Sequence, residues 1–223
     1  MQDFIFRVFI RLIVVFTALP IHEYAHGLVA YWLGDYTAKS QGRLDLNPLK
    51  HFDLIGTTAL LLTGYGWAKP VPINPYNFRG SKAGVKGGMA LTALAGPVSN
   101  VLVAAVCMLL YKVCYYAMPD TQFVSWLLFA FSLMLDINLG LAVFNLIPIP
   151  PLDGSRVLSY FLPNRITYFM QRYERYIFLG LFVLMYSGVL SGPINHVTGW
   201  LYRGIYYATY FVDLIASAVM GVL

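Results

Sequence analysis

The chain has 223 residues, of which 59% are hydrophobic and only 11% charged. Soluble domains carry about 25% charged residues. That depletion, with a mean hydropathy of +0.65, excludes an ordinary soluble domain and points to a membrane protein of short apolar passes. The net charge is +5, but the basic residues are scattered over turns between apolar runs. No basic cluster with interleaved aromatics occurs, so the charge reads as membrane orientation and not as a nucleic-acid partner.

Residues 4–33 form the first apolar run, interrupted by Arg7, Arg11 and the group His22, Glu23, His26. As helix it spans roughly 45 Å, enough to cross a bilayer with tilt. The run continues past any cleavage point, which argues against a signal peptide. Residues 41–46 alternate, with Arg43 and Asp45 on one side and Leu44 and Leu46 on the other. This predicts a half-buried strand, ended by Asn47-Pro48. Residues 54–63 are apolar but too short to span, which suggests a re-entrant or edge element. From 66 to 79, prolines at 70, 72 and 75 forbid helix and predict an extended edge segment.

Residues 85–118 predict the second long helix. Gly88, Thr92, Gly96, Asn100 and Ala104 recur every fourth position, a narrow stripe of small and polar groups suited to close packing in lipid. Residues 123–147 predict the third, carrying Asp136, Asn138 and Asn145, before Pro148, Pro150 and Pro151 break it ahead of Asp153-Gly154. Residues 155–174 read as a basic connector. Two further apolar runs, 176–190 and 200–222, follow, and Trp200, Tyr202, Tyr206, Tyr207 and Tyr210 suit an interfacial belt. Cys107 and Cys114 are expected to pack as small apolar groups. The expected fold is an all-α polytopic membrane protein of five to six transmembrane helices. A small membrane-associated β element is expected between the first and second long helices.

Residues 22–26 read His-Glu-Tyr-Ala-His. On a helix, His22 and His26 are one turn apart on one side, which suits two imidazole nitrogens on one Zn²⁺. Glu23 lies one position round and reaches a water at the metal without being a ligand, as a general base requires. The bland alternative, core polar residues, weakens in lipid, where each ionisable side chain costs at least about 2.5 kcal/mol at mid-bilayer unless partnered. Pro20 opens the helix just before this group. Two histidines leave a hydrolytic zinc one protein ligand short. Asp153, at a turn after a proline-broken helix, is favoured because irregular backbone at membrane depth lines a cavity. Asp136, Asp45, Asp53, His51 and His196 remain open alternatives.

His22-Glu23-x-x-His26, Gly96-Pro97-x-x-Asn100 and Asn145-x-x-Pro148-x-x-Pro151-x-Asp153-Gly154 resemble the three signatures of the site-2 protease family of intramembrane zinc metalloproteases. The resemblance runs from about residue 15 to about 165 and is nearest to compact prokaryotic members without a PDZ domain. GRLDLNPL and GWAKPVPINP also look like that subgroup. The resemblance implies Asp153 as third zinc ligand, and Asn100 and Asn145 as cleft residues that help hold substrate or the developing oxyanion. It implies a zinc endopeptidase cutting in or near transmembrane segments of membrane proteins. One integral membrane metalloprotease domain is expected over 1–223, with a catalytic core of about 4–165 and accessory C-terminal helices of about 176–222.

Lys39, Arg43 and Lys50 follow the first helix, so the positive-inside tendency makes that end cytoplasmic. The metal then lies roughly 15 Å below that face. Arg7 and Arg11 argue the other way and are accounted for only by snorkelling. The expected location is a cell membrane, multi-pass, with the lipid bilayer as partner and the active site nearer the cytoplasm. Substrate is expected to pair with the edge of 41–46 or 67–73. Three competing readings are another class of membrane zinc protease, which would need a third-ligand Glu from a later helix although the other Glu, Glu174, sits in the basic connector, a transporter that uses buried His, Glu and Asp for ions, and an inactive, binding-only relative, against which His22, Glu23, His26 and Asp153 are all present.

Overall fold

The computed structural model describes residue 9 and residues 12–63, 67–79 and 84–220. Arg7 and Arg11 lie outside the described residues. Helical winding runs from residue 12 to Trp32, but Val14–Ala18 is wound as a π-helix before α1 (Leu19–Trp32). The wider turn fits Pro20, which lacks an amide donor and occupies the first turn of α1. Thr17 returns its hydroxyl to the carbonyl of Ile13. Helix α1 ends in a Schellman turn: Gly34 has φ +101, and the amide of Asp35 bonds back to the carbonyl of Ala30 at 2.9 Å.

Between α1 and the next long helix the structure corrects the expected β element. No strand occurs among the described residues. Residues 37–40 form the one-turn α2 (Thr37–Ser40), and the amide of Arg43 closes onto the carbonyl of Ala38 at 2.8 Å. Gly42 has φ +63, which breaks an extended path. Asp45 then takes the amide of Asn47 at 2.9 Å, and Asn47 takes that of Leu49 at 3.0 Å. These local side-chain bonds give the backbone partners that a ladder would otherwise supply, and so override the alternating pattern. The 3₁₀ turn Pro48–His51 and α3 (Leu54–Thr63) follow. Residues 67–74 form neither helix nor strand and lead, through an extended Asn74, into the 3₁₀ turn Pro75–Asn77.

Among the described residues, helices α4 (Gly84–Ala117) and α5 (Gln122–Asn145) are the two that are individually long and apolar enough to span a bilayer. Helix α6 (Asp153–Phe161) starts after the proline-rich turn, and α7 (Asn164–Arg172) follows. Helices α8 (Glu174–Tyr186) and α9 (Ser191–Ala208) meet at 82° and qualify only as a bent pair; α10 (Tyr210–Met220) ends the described chain. Among the described residues this gives two candidate spans, or three with the bent pair, where the sequence predicts five to six over the whole chain. The 176–190 run is interrupted at Gly188, whose φ of +73 turns the chain. The core lies between α4, α5 and α9, where Ala104, Cys107, Met108, Leu135, Leu139 and Ile205 cluster. Cys107 and Cys114 are both free, with Cys107 inside this core.

Candidate metal centre

Helix α1 carries His22 and His26 one turn apart, and α4 crosses directly over them. A Cβ on Gly96 would lie 2.5 Å from His22 Cε1 and from His26 Nε2. Only glycine lets the two backbones approach this closely. One turn before Gly96, the Thr92 carbonyl accepts from His26 Nδ1 at 2.7 Å. One turn after it, Asn100 Oδ1 accepts from His22 Nδ1 at 3.1 Å. The small-residue stripe read as helix packing is therefore also the cradle of the two imidazoles. Thr92 escaped the sequence reading because it acts through its main chain; the four-residue period placing it beside Gly96 and Asn100 was the available signal.

Asp153 is the first residue of α6. A Cβ on Gly154 would lie 2.2 Å from the Leu146 carbonyl oxygen, so glycine is required where α6 abuts the end of α5. This turn aims Asp153 Oδ2 at His22 Nε2, 3.1 Å away, and at His26 Nε2, 3.2 Å away. The two Nε2 atoms are 3.0 Å apart. All three residues are under 9% exposed.

This donor set fits a zinc ion. With Nδ1–H of each ring spent on an oxygen acceptor, a neutral imidazole presents its Nε2 lone pair. Two lone pairs and a carboxylate oxygen then converge with no hydrogen to share, an arrangement that a cation relieves. Ligands at about 2.0–2.1 Å round a tetrahedral zinc are roughly 3.3 Å from one another, close to the triangle observed. Two imidazoles and one carboxylate leave a fourth position open, as in hydrolytic zinc sites. Thr92 and Asn100 are the outer partners that orient such ligands.

Glu23, next to His22 on α1, is not part of this donor set. Its Oε2 accepts from the Val71 amide at 2.9 Å. Asn145 does not meet the three donors; its side-chain amide returns to the Leu141 carbonyl at 3.0 Å within α5. Among the described residues, His22, His26 and Asp153 form the one such His/Cys/Asp/Glu group. Asp45 is tied to Lys50 instead, and the His51 ring bonds the Asp45 carbonyl at 2.7 Å. Asp136, Asp53, His196 and Glu174 are not part of the group.

The profile of peptidase family M50 matches residues 117–187, the stretch that contains Asp153. A protein of Bacillus subtilis (strain 168), "Putative zinc metalloprotease YwhC", is 44% identical over 191 residues, covering 83% of this chain and 84% of its own. The chain belongs to peptidase family M50. More distant are two mycobacterial proteins with the same description under the name Rip2, each 26% identical. The one from Mycolicibacterium smegmatis aligns over 88% of this chain and 74% of its own length. The one from Mycobacterium tuberculosis (strain ATCC 25618 / H37Rv) aligns over 83% and 70%. No solved structure matches. As an M50 peptidase the chain is a zinc metalloprotease acting on protein, and no comparison favours a transporter.

Proposed function

We propose that this M50 peptidase works as an intramembrane endopeptidase on transmembrane segments of other membrane proteins. In this reading His22, His26 and Asp153 hold the zinc and Glu23 is the general base. The observation that carries it is the buried triangle of His22 Nε2, His26 Nε2 and Asp153 Oδ2, with Glu23, the next residue after His22 on α1, outside it. Zinc, when held there, supplies Lewis-acid chemistry that polarises a carbonyl and acidifies water. Glu23 takes the proton of the attacking water and passes it to the leaving amide nitrogen. Asn100 orients His22, and Thr92 orients His26, so that both Nε2 lone pairs stay available. Asn100 and Asn145 remain the candidates for contact with substrate.

The whole chain, 1–223, acts as one membrane domain, with a core of about 4–165 and accessory helices at about 176–222. It sits multi-pass in a cell membrane, in contact with lipid. Lys39, in the one-turn helix after α1, and Arg79, whose amide bonds the Leu33 carbonyl, lie beyond the C-terminal end of α1 and support a cytoplasmic assignment for that face. His26 is then six residues of helix, roughly 9 Å, below Trp32. Purified protein tests the reading by zinc analysis and by cleavage of a transmembrane peptide in detergent or vesicles. One zinc per chain, cleavage by wild type and none by Glu23→Gln with zinc retained is the expected result. Full cleavage by Glu23→Gln, or zinc retained after His22→Ala and Asp153→Ala together, overturns it.

A further inference from the structure

Residues 67–73 read Trp-Ala-Lys-Pro-Val-Pro-Ile and pass over the face of α1 that carries Glu23. Proline has no amide hydrogen, so Val71 owns the one main-chain donor in the stretch 70–72. That donor goes to Glu23 Oε2 at 2.9 Å. The carbonyl of the same peptide unit, Pro70 O, accepts from Arg43 Nη2 at 3.2 Å, and Lys69 O accepts from the same nitrogen at 2.9 Å. The Pro70–Val71 bond is not among the cis bonds, so its C=O and N–H point in opposite directions. Arg43 and Glu23 thus grip opposite edges of one peptide plane.

We propose that this peptide plane is a positioning device for Glu23, with the Val71 amide orienting the carboxylate and Arg43 holding the plane in register. The inference rests on the reading of Glu23 as general base. The carboxylate must stay close to the metal donors without becoming one of them. A charge-assisted bond from a fixed amide to one oxygen holds Oε2 and leaves Oε1 to handle the proton. A preset orientation of this kind removes reorganisation from the reaction step.

The rest of the segment supports a fixed strap. The Lys69 amide bonds the His51 carbonyl at 2.9 Å. Val71 is buried in a notch on α1, its Cγ1 3.0 Å from where a Cβ on Gly27 would be. Further on, Asp35 takes the Asn74 amide at 2.7 Å and the Asn77 side-chain amide at 2.9 Å. A rival reading, in which the strap occupies the site as an uncut pseudo-substrate, fails on the carbonyl. A bond presented for cleavage turns its C=O toward the metal donors, whereas Pro70 O is held by Arg43.

The test uses the full chain, with zinc content, thermal unfolding, kcat and KM measured on one transmembrane peptide. Val71 is replaced by its α-hydroxy-acid counterpart, which deletes the N–H and keeps the side chain. Arg43→Gln and Arg43→Lys test the clamp. The expected result is a fall in kcat of about 10–100-fold for the ester and for Arg43→Gln. KM, zinc and thermal midpoint stay unchanged, and Arg43→Lys recovers part of the rate. Wild-type kcat in the ester variant overturns the proposal, as does a loss that tracks zinc or thermal midpoint. Glu23→Gln is assayed in parallel. If it retains turnover, the general-base reading has failed and the strap with it. If it is inactive while the ester and Arg43→Gln turn over normally, the strap alone has failed.

Discussion

Lys112 of α4 and Asp213 of α10 meet as a buried ion pair at the end of α4 remote from Gly84, with side chains 5% and 16% exposed. Tyr116 adds its hydroxyl to Asp213 at 2.9 Å, and the Lys112 ammonium lies 4.0 Å over the Tyr206 ring. This polar cluster fastens the C-terminal helices to the long helix that cradles the two histidines.

Removing one partner of this pair leaves an uncompensated charge in an apolar setting, which costs about 3–5 kcal/mol in buried pairs. Lys112→Met and Asp213→Leu should each lower the unfolding midpoint in detergent. The double variant should recover most of the loss, since nothing charged is then left unpaired. Equal instability of the double and single variants would show that the pair contributes through packing alone.

Gly96→Ala places a methyl group within 2.5 Å of both imidazole rings. Helix α4 must move away or the rings must rotate, and either opens the triangle. Zinc affinity, read by competition with a chelator, should weaken about 10-fold or more. Gly140→Ala, where added bulk meets no neighbour within 4 Å, should leave it unchanged.

Asn100→Ala frees His22 Nδ1 from its acceptor. The ring then loses its fixed tautomer and orientation, and zinc affinity should fall about 10–100-fold. Asn100→Asp keeps an acceptor at the same place and should retain most of the affinity. Equal losses in both variants would separate Asn100 from the orientation of His22.

Asp35 is fully buried at the end of α1. Burial alone would raise its pKa, but bonds from the Thr37 hydroxyl, the Asn77 side chain and the amides of Asn74 and Thr37 outweigh it. They hold the carboxyl below the usual carboxylate range. The stability it contributes is therefore fully present above about pH 4 and is lost as pH falls through the lowered folded value. Asp35→Asn should cost about 1–3 kcal/mol at neutral pH by setting donors against donors. The gap to wild type should close in an acid titration of the unfolding midpoint. A gap constant down to pH 2 would contradict this.

Much of the centre was readable because it is local. The five residues from His22 to His26 set the ring spacing by helix geometry alone, and the prolines before Asp153 marked a turn there. What escaped reading is held by main-chain atoms: the Thr92 carbonyl, the Val71 amide and the Leu146 carbonyl against Gly154. The false strand at 41–46 had the right alternation, yet Asp45 and Asn47 satisfied the backbone locally and Gly42 bent it. The bend between α8 and α9 was not legible, because apolar composition reports length and not the turn at Gly188.

His22 and Asp153 lie 131 positions apart, and the cradle between them is contributed by a third stretch of chain. During synthesis the first histidine pair is made long before the carboxylate exists, and glycine-to-ring contact requires α4 to be in place. A nascent chain halted anywhere short of the Asp153 turn thus carries an incomplete set of donors. The three donors can therefore meet only once the chain has been made as far as Asp153 and α4 has docked on α1.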